Sequence, residues 1–230
     1  MVDVVVLNNQ MLNLLNIRIM ARAKKGSNFI TGKIDNRVRY MLNGQWVERG
    51  IGKWRNPPTD KQKPNLDATG IINDLLKPVM PYIRIGFKEI TRNTIRSPYN
   101  AAWSINRLDA IDTTSPNLKV DFTRAVFSQG DMPIVDEVNV KVIEEGIEFS
   151  WNPDYIVYGM QLSDQVMLLA YCPEKEYAFY QLYGQRRVTG KDVLKMQRYS
   201  TQVTMHTYLT FVSADGKSIT TSIYTGEYLW

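Results

Sequence analysis

The sequence predicts a chain in two parts: an α+β front unit, a β-hairpin plus two or three helices, followed by an all-β sandwich. Three observations carry this reading. Beyond residue 25, apolar residues recur at helical spacing between Ile71 and Ile111, and period-two alternation takes over from Val138 to the end. Asn43-Gly44 and Asp215-Gly216 are two-residue turn signals with strand-like flanks, one in each part. Cys172 is the only cysteine among 230 residues, so packed cores and not disulfides must hold the fold.

Residues 1–25 read as an extended or helical docking arm. Val4 to Leu7 and Met11 to Met20 are apolar, but Asn8, Asn9, Gln10, Asn13 and Asn16 interrupt them. The positive charges, Arg18, Arg22, Lys24 and Lys25, follow the apolar part. A secretory signal has the reverse order, and a membrane span needs about 20 uninterrupted apolar residues. The reading is therefore no membrane span and no export by the general route.

Residues 26–132 read as a mixed domain. Phe29 to Tyr40 is extended, Asn43-Gly44 turns it, and Gln45 to Ile51 returns, with Tyr40 or Met41 opposite Trp46. Asn56-Pro57-Pro58-Thr59 ends this section, and Thr59 is a helix N-cap candidate, with Pro64 awkward inside that helix. Ile71, Ile72, Leu75 and Leu76 give one apolar helical face, and Tyr82, Ile85 and Phe87 suggest a second helix. Ser97-Pro98 opens another, with Ala101, Ala102, Ile105, Leu108 and Ile111 expected inward. Leu118, Val120 and Phe122 alternate as a strand.

Residues 133–230 read as an immunoglobulin-like or fibronectin-III-like sandwich. The expected strands are Val138–Val142, Ile147–Trp151, Gln165–Tyr171, Tyr177–Tyr183, Arg187–Thr189, Val203–Ala214 and Ser218–Tyr224. Trp151 is expected in or near the core. A bridged antibody-type domain is excluded, because there is no cysteine pair.

Composition narrows the chemistry. A single histidine, His206, excludes a multi-histidine metal centre and leaves a serine triad only one possible base. Asp154, Asp164, Glu174 and Glu176 sit near turns, where carboxylates face water more often than they form a glycosidase pair. His206 reads as a hydrogen-bonded structural histidine and Cys172 as an inert buried thiol. No catalytic residue, metal ligand or cofactor site is expected. Charge is polarised: residues 1–60 carry +6, residues 61–130 carry +4 and residues 131–230 carry −5. A basic front suits an acidic protein partner, and nucleic acid is not favoured, since no reading motif accompanies the charge.

Several stretches resemble a Bacteroidetes protein family catalogued as a domain of unknown function. They are Met20 to Gly26 (a MAR-x-KKG start), Asn56 to Thr59 with Gln62, and Leu76 through Pro78 to Ile85-Gly86-Phe87. Asn100-Ala101-Ala102 through Asn106 to Ala110-Ile111, Pro116-Asn117, and Phe211 to Gly226 complete the match. The resemblance implies no catalytic residue.

The expected function is a non-enzymatic structural or docking protein. By fold-level analogy it is a phage or prophage virion component, such as an auxiliary capsid protein attached through its N-terminal region and assembled in the host bacterial cytoplasm. The alternative is a cell-surface or envelope module that binds glycan or protein. The expected partner is a capsid or other virion protein, or further copies of the chain. The expected partner-binding residues are Leu14, Leu15, Arg18, Arg22, Lys24, Lys25, Arg37 and Trp46.

Overall fold

A computed structural model describes residues 20–23, 30–42, 44–52, 56–112 and 118–230. The chain divides into two compact units, Met1–Pro57 and Pro58–Trp230.

The described part of the first unit is an antiparallel meander in the order β1 (Met20–Ala23), β2 (Ile30–Ile34), β3 (Arg37–Leu42) and β4 (Gln45–Gly50). The tight turn fixes the register: Leu42 pairs with Gln45, so Met41 pairs with Trp46 and Tyr40 with Val47. Gly44 takes φ 79°, the left-handed conformation this turn requires and glycine supplies without strain. Strand β1 lies within the segment read as an arm; it pairs with β2 along its whole length.

The second unit has three layers. Seven strands form its sandwich, in one sheet of order β11-β8-β7 and another of order β10-β9-β12-β13. Their ranges are β7 (Asn139–Ile143), β8 (Gly146–Ser150), β9 (Gln165–Cys172), β10 (Tyr177–Gln181), β11 (Lys191–Lys195), β12 (Thr204–Val212) and β13 (Ile223–Leu229). All the ladders are antiparallel, and the arrangement resembles an immunoglobulin-like or fibronectin-III-like sandwich. Between the sheets lie Ile147, Phe149 and Trp151 against Val166, Leu168, Phe211 and Met205.

Helices α1 (Lys63–Leu76), α2 (Met80–Gly86), α3 (Lys88–Thr91) and α4 (Pro98–Asp109) form the third layer. Ile72, Leu76, Tyr82, Ile83 and Phe87 pack on Met167, Leu169, Tyr171 and Tyr208, the outer face of the four-stranded sheet. Strand β9 is therefore covered on both sides, which is why its sequence is continuously apolar and does not alternate. The boundary expected at residues 132/133 falls inside this unit, because helices and sheet share one core. After α4, β5 (Ile111–Asp112) pairs antiparallel with β6 (Lys119–Val120).

Several expectations change in detail. Helix α1 starts at Lys63, not at Thr59, so Pro64 sits in the first turn, where its missing N–H has no helical partner to lose. Ser97 caps α4 as expected, its Oγ accepting from Asn100 N at 3.1 Å. Leu108 does not face inward; it is 78% exposed. The interior position on α4 belongs to Asn106, which donates to Ala102 O and Val126 O and accepts from Val126 N. Leu108 lies roughly 200° around the helix from Asn106. The expected strand Arg187–Thr189 is a 3-10 turn, and the strand it stood for is β11.

Candidate interaction surfaces

In the first unit no residue from 31 to 52 whose burial is described is buried. Cross-strand pairing puts Val38, Tyr40, Val47, Lys33 and Arg49 on one face and Arg37, Arg39, Met41, Trp46 and Glu48 on the other. Glu48 accepts from Arg37 at 2.8 Å and also pairs with Arg39, and these two guanidinium groups hold its carboxyl below the usual range. Arg37 is thus part of an ion-pair cluster, and Trp46 is 38% exposed opposite Met41 near the hairpin tip. Met41 and Leu42 are also exposed there. Of the other expected partner-binding residues, Arg22 falls in β1, and Leu14, Leu15, Arg18, Lys24 and Lys25 lie outside the described residues.

The second unit carries an apolar tip that the sequence reading did not single out. Loops 132–134, 152–164 and 186–190 converge there. A Cβ built on Gly159 would lie 3.2 Å from Pro133, and Val188 N donates to Leu162 O at 3.3 Å. Tyr155, Ile156, Val157, Tyr158, Leu162, Ile134 and Val188 are exposed on these loops. Asp136, Glu137 and Asp154 are exposed on the same or adjoining segments. The available signal was the run Tyr155–Tyr158 directly after the turn Asn152-Pro153-Asp154: four apolar residues with no place in a strand pattern.

A buried ion pair holds the tip. Arg187 is 0% exposed and Asp164 is 1% exposed, so Asp164 does not face water as a turn carboxylate was expected to. Arg187 Nε and Nη2 both reach Asp164 Oδ2 at 3.3 Å, and the guanidinium lies 4.0 Å from the Phe211 ring centroid. Arg187 N donates to Asp164 O at 2.7 Å, and Arg187 O accepts from Trp151 Nε1 at 2.7 Å. Asp164 Oδ1 and Arg187 Nη1 are buried without a hydrogen-bond partner. Burial lowers the Arg187 pKa, and Asp164 opposes that shift.

His206 and Cys172 sit as structural residues. His206 Nδ1 is 3.1 Å from Tyr224 Oη, and its ring stacks on Phe122 at 3.9 Å. Burial holds its pKa below the ordinary 6.5, against the pull of Glu227 and Glu174. A histidine kept neutral in the fold charges more readily when unfolded. Its contribution is complete above the unfolded value and declines as pH falls through the window below about 6.5. We expect His206→Gln to flatten the loss of stability on acidification; thermal unfolding between pH 7 and pH 5 (about the titration range of histidine) checks this, and an unchanged slope would refute it. The Cys172 thiol is pushed up by burial and by its bond to Glu174 at 3.3 Å.

Among the clefts of the second unit, two have aromatic walls. One, of about 420 Å³, is lined by Lys175, Tyr177, Phe179, Gln197, Arg198 and Tyr199. The other, of about 350 Å³, lies against α1. Among the described residues no group of three or more His, Cys, Asp or Glu side chains can hold a metal, and no helix is long and apolar enough to cross a membrane.

A family model described as a family of unknown function (DUF6266) matches residues 29–226. No curated protein and no solved structure matches the chain.

Proposed function

The chain belongs to the DUF6266 family of unknown function, and we propose that it is a non-enzymatic docking protein that attaches through its first unit to a larger protein assembly. The observation that carries this reading is the four-stranded meander in which no residue of described burial is buried. A sheet gains stability by covering one face, and a partner surface supplies that cover. The partner contacts we assign are Leu14, Leu15, Arg18, Arg22, Lys24, Lys25, Arg37 and Trp46, with Met41 and Leu42 added at the hairpin tip. Their basic character suits an acidic partner surface, either on a virion protein or on another copy.

The finer reading is an auxiliary capsid protein of a phage or prophage virion. Its test is mass spectrometry and electron microscopy of particles purified from the source. We expect the protein at a fixed stoichiometry to the shell; its absence from every particle would remove this reading. The cleft beside Tyr177 and Tyr199 favours a second reading, a glycan- or protein-binding module of the cell envelope. It offers aromatic faces beside two cations, with Lys175 5.8 Å from the Tyr199 ring centroid. Fractionation of uninfected cells separates the two, because the second requires protein in the envelope.

A further inference from the structure

We propose that the groove against α1 in the second unit receives the side chain of an arginine, flanked by apolar residues, on a protein partner. The groove has a volume of about 350 Å³, enough for one long side chain and part of its neighbours. Ile71, Leu75 and Val120 give it apolar walls, and the rings of Phe122 and Tyr171 stand 5.6 Å apart, centroid to centroid. Phe122 is held in place by the stacked His206 ring.

The polar groups in the groove select the occupant. Asp74 and Glu176 line it, and neither forms an ion pair within 4 Å among the described residues. Tyr171 lines the groove with 4% of its surface exposed, and its hydroxyl, which still reaches solvent, makes no hydrogen bond to any described residue. Burial first, then Glu176 and Asp74, push that hydroxyl up to about 12, so it stays protonated at neutral pH. Lys119 is the one cation among the described lining residues, so two carboxylates face one ammonium.

An anion would meet the carboxylates, and a purely apolar group would desolvate them without a partner. A guanidinium satisfies them. Its planar set of five N–H donors spans two carboxylates and a hydroxyl, and its face stacks on an aromatic ring. An ammonium reaches fewer acceptors and stacks less well.

This site stands independently of the virion reading, since it rests on the second unit alone. The test is fluorescence anisotropy on the full chain with blocked, labelled peptides carrying one central residue between leucines. We expect the arginine peptide to bind saturably and less tightly as salt rises. The citrulline peptide, equal in shape but uncharged, should bind about tenfold more weakly. The double variant Asp74→Asn, Glu176→Gln should lose about the same factor at an unchanged melting temperature, because both side chains are exposed. Equal binding of the citrulline peptide, tighter binding of a glutamate peptide, undiminished binding by the variant, or no saturable binding at low salt would each overturn the proposal. Absence from particles would sink the virion reading and leave these results unaffected.

Discussion

Replacing Arg187 by alanine is expected to cost about 3–5 kcal/mol, among the largest effects of any single substitution in the second unit. The loss has two parts. Asp164 is left as a buried carboxylate with no counter-charge, and the contact with the Phe211 ring disappears. The geometry also predicts what repairs it. Both guanidinium contacts converge on Oδ2, leaving Oδ1 and Nη1 without partners, so the pair is not fully satisfied. Replacing both members with apolar residues of similar volume, Arg187→Met with Asp164→Leu, should therefore recover most of the loss. Urea unfolding of Arg187→Met, Asp164→Leu and the double variant, beside Arg187→Ala, supplies the cycle. A double variant as unstable as Arg187→Ala would show that the charge itself, and not the packing of the tip loops, is needed there.

Leu169→Ala should cost about 2–5 kcal/mol. Leu169 is fully buried on the face of β9 that carries the helices, so its removal opens a cavity between two layers that cannot close independently. Leu108→Ala, on the exposed side of α4, should change stability by no more than about 0.5 kcal/mol. Thermal unfolding of the two variants side by side decides the point. A large loss at Leu108 would mean that α4 packs through the face the sequence pattern suggested.

Much of the candidate surface was illegible for a definite reason. Arg37 and Trp46 were singled out from local charge and aromatic content, and both lie on one face of the meander. The tip residues Tyr155–Tyr158 are as apolar as the core strand β9, and composition does not distinguish an exposed run from a buried one. The groove residues Asp74, Phe122, Tyr171 and Glu176 are spread over about 100 positions, and only the packing of α1 on the sheet brings them together.

By itself the sequence determined what local geometry controls. The turn signal ending at Gly44 agrees with the Leu42–Gln45 register of β3 and β4, Ser97-Pro98 set the start of α4, and period-two alternation placed Ile147, Phe149 and Trp151 on one side of their strand. Those signals act over a few residues, through allowed dihedrals and the alternation of side chains along a strand. Tertiary structure alone decided the third layer, the exposure of Leu108, and the burial of Arg187 and Asp164. Each of these depends on which surface is left uncovered once distant segments meet. The outer face of β9 and β12 is apolar and must be covered, and the helices supply that cover.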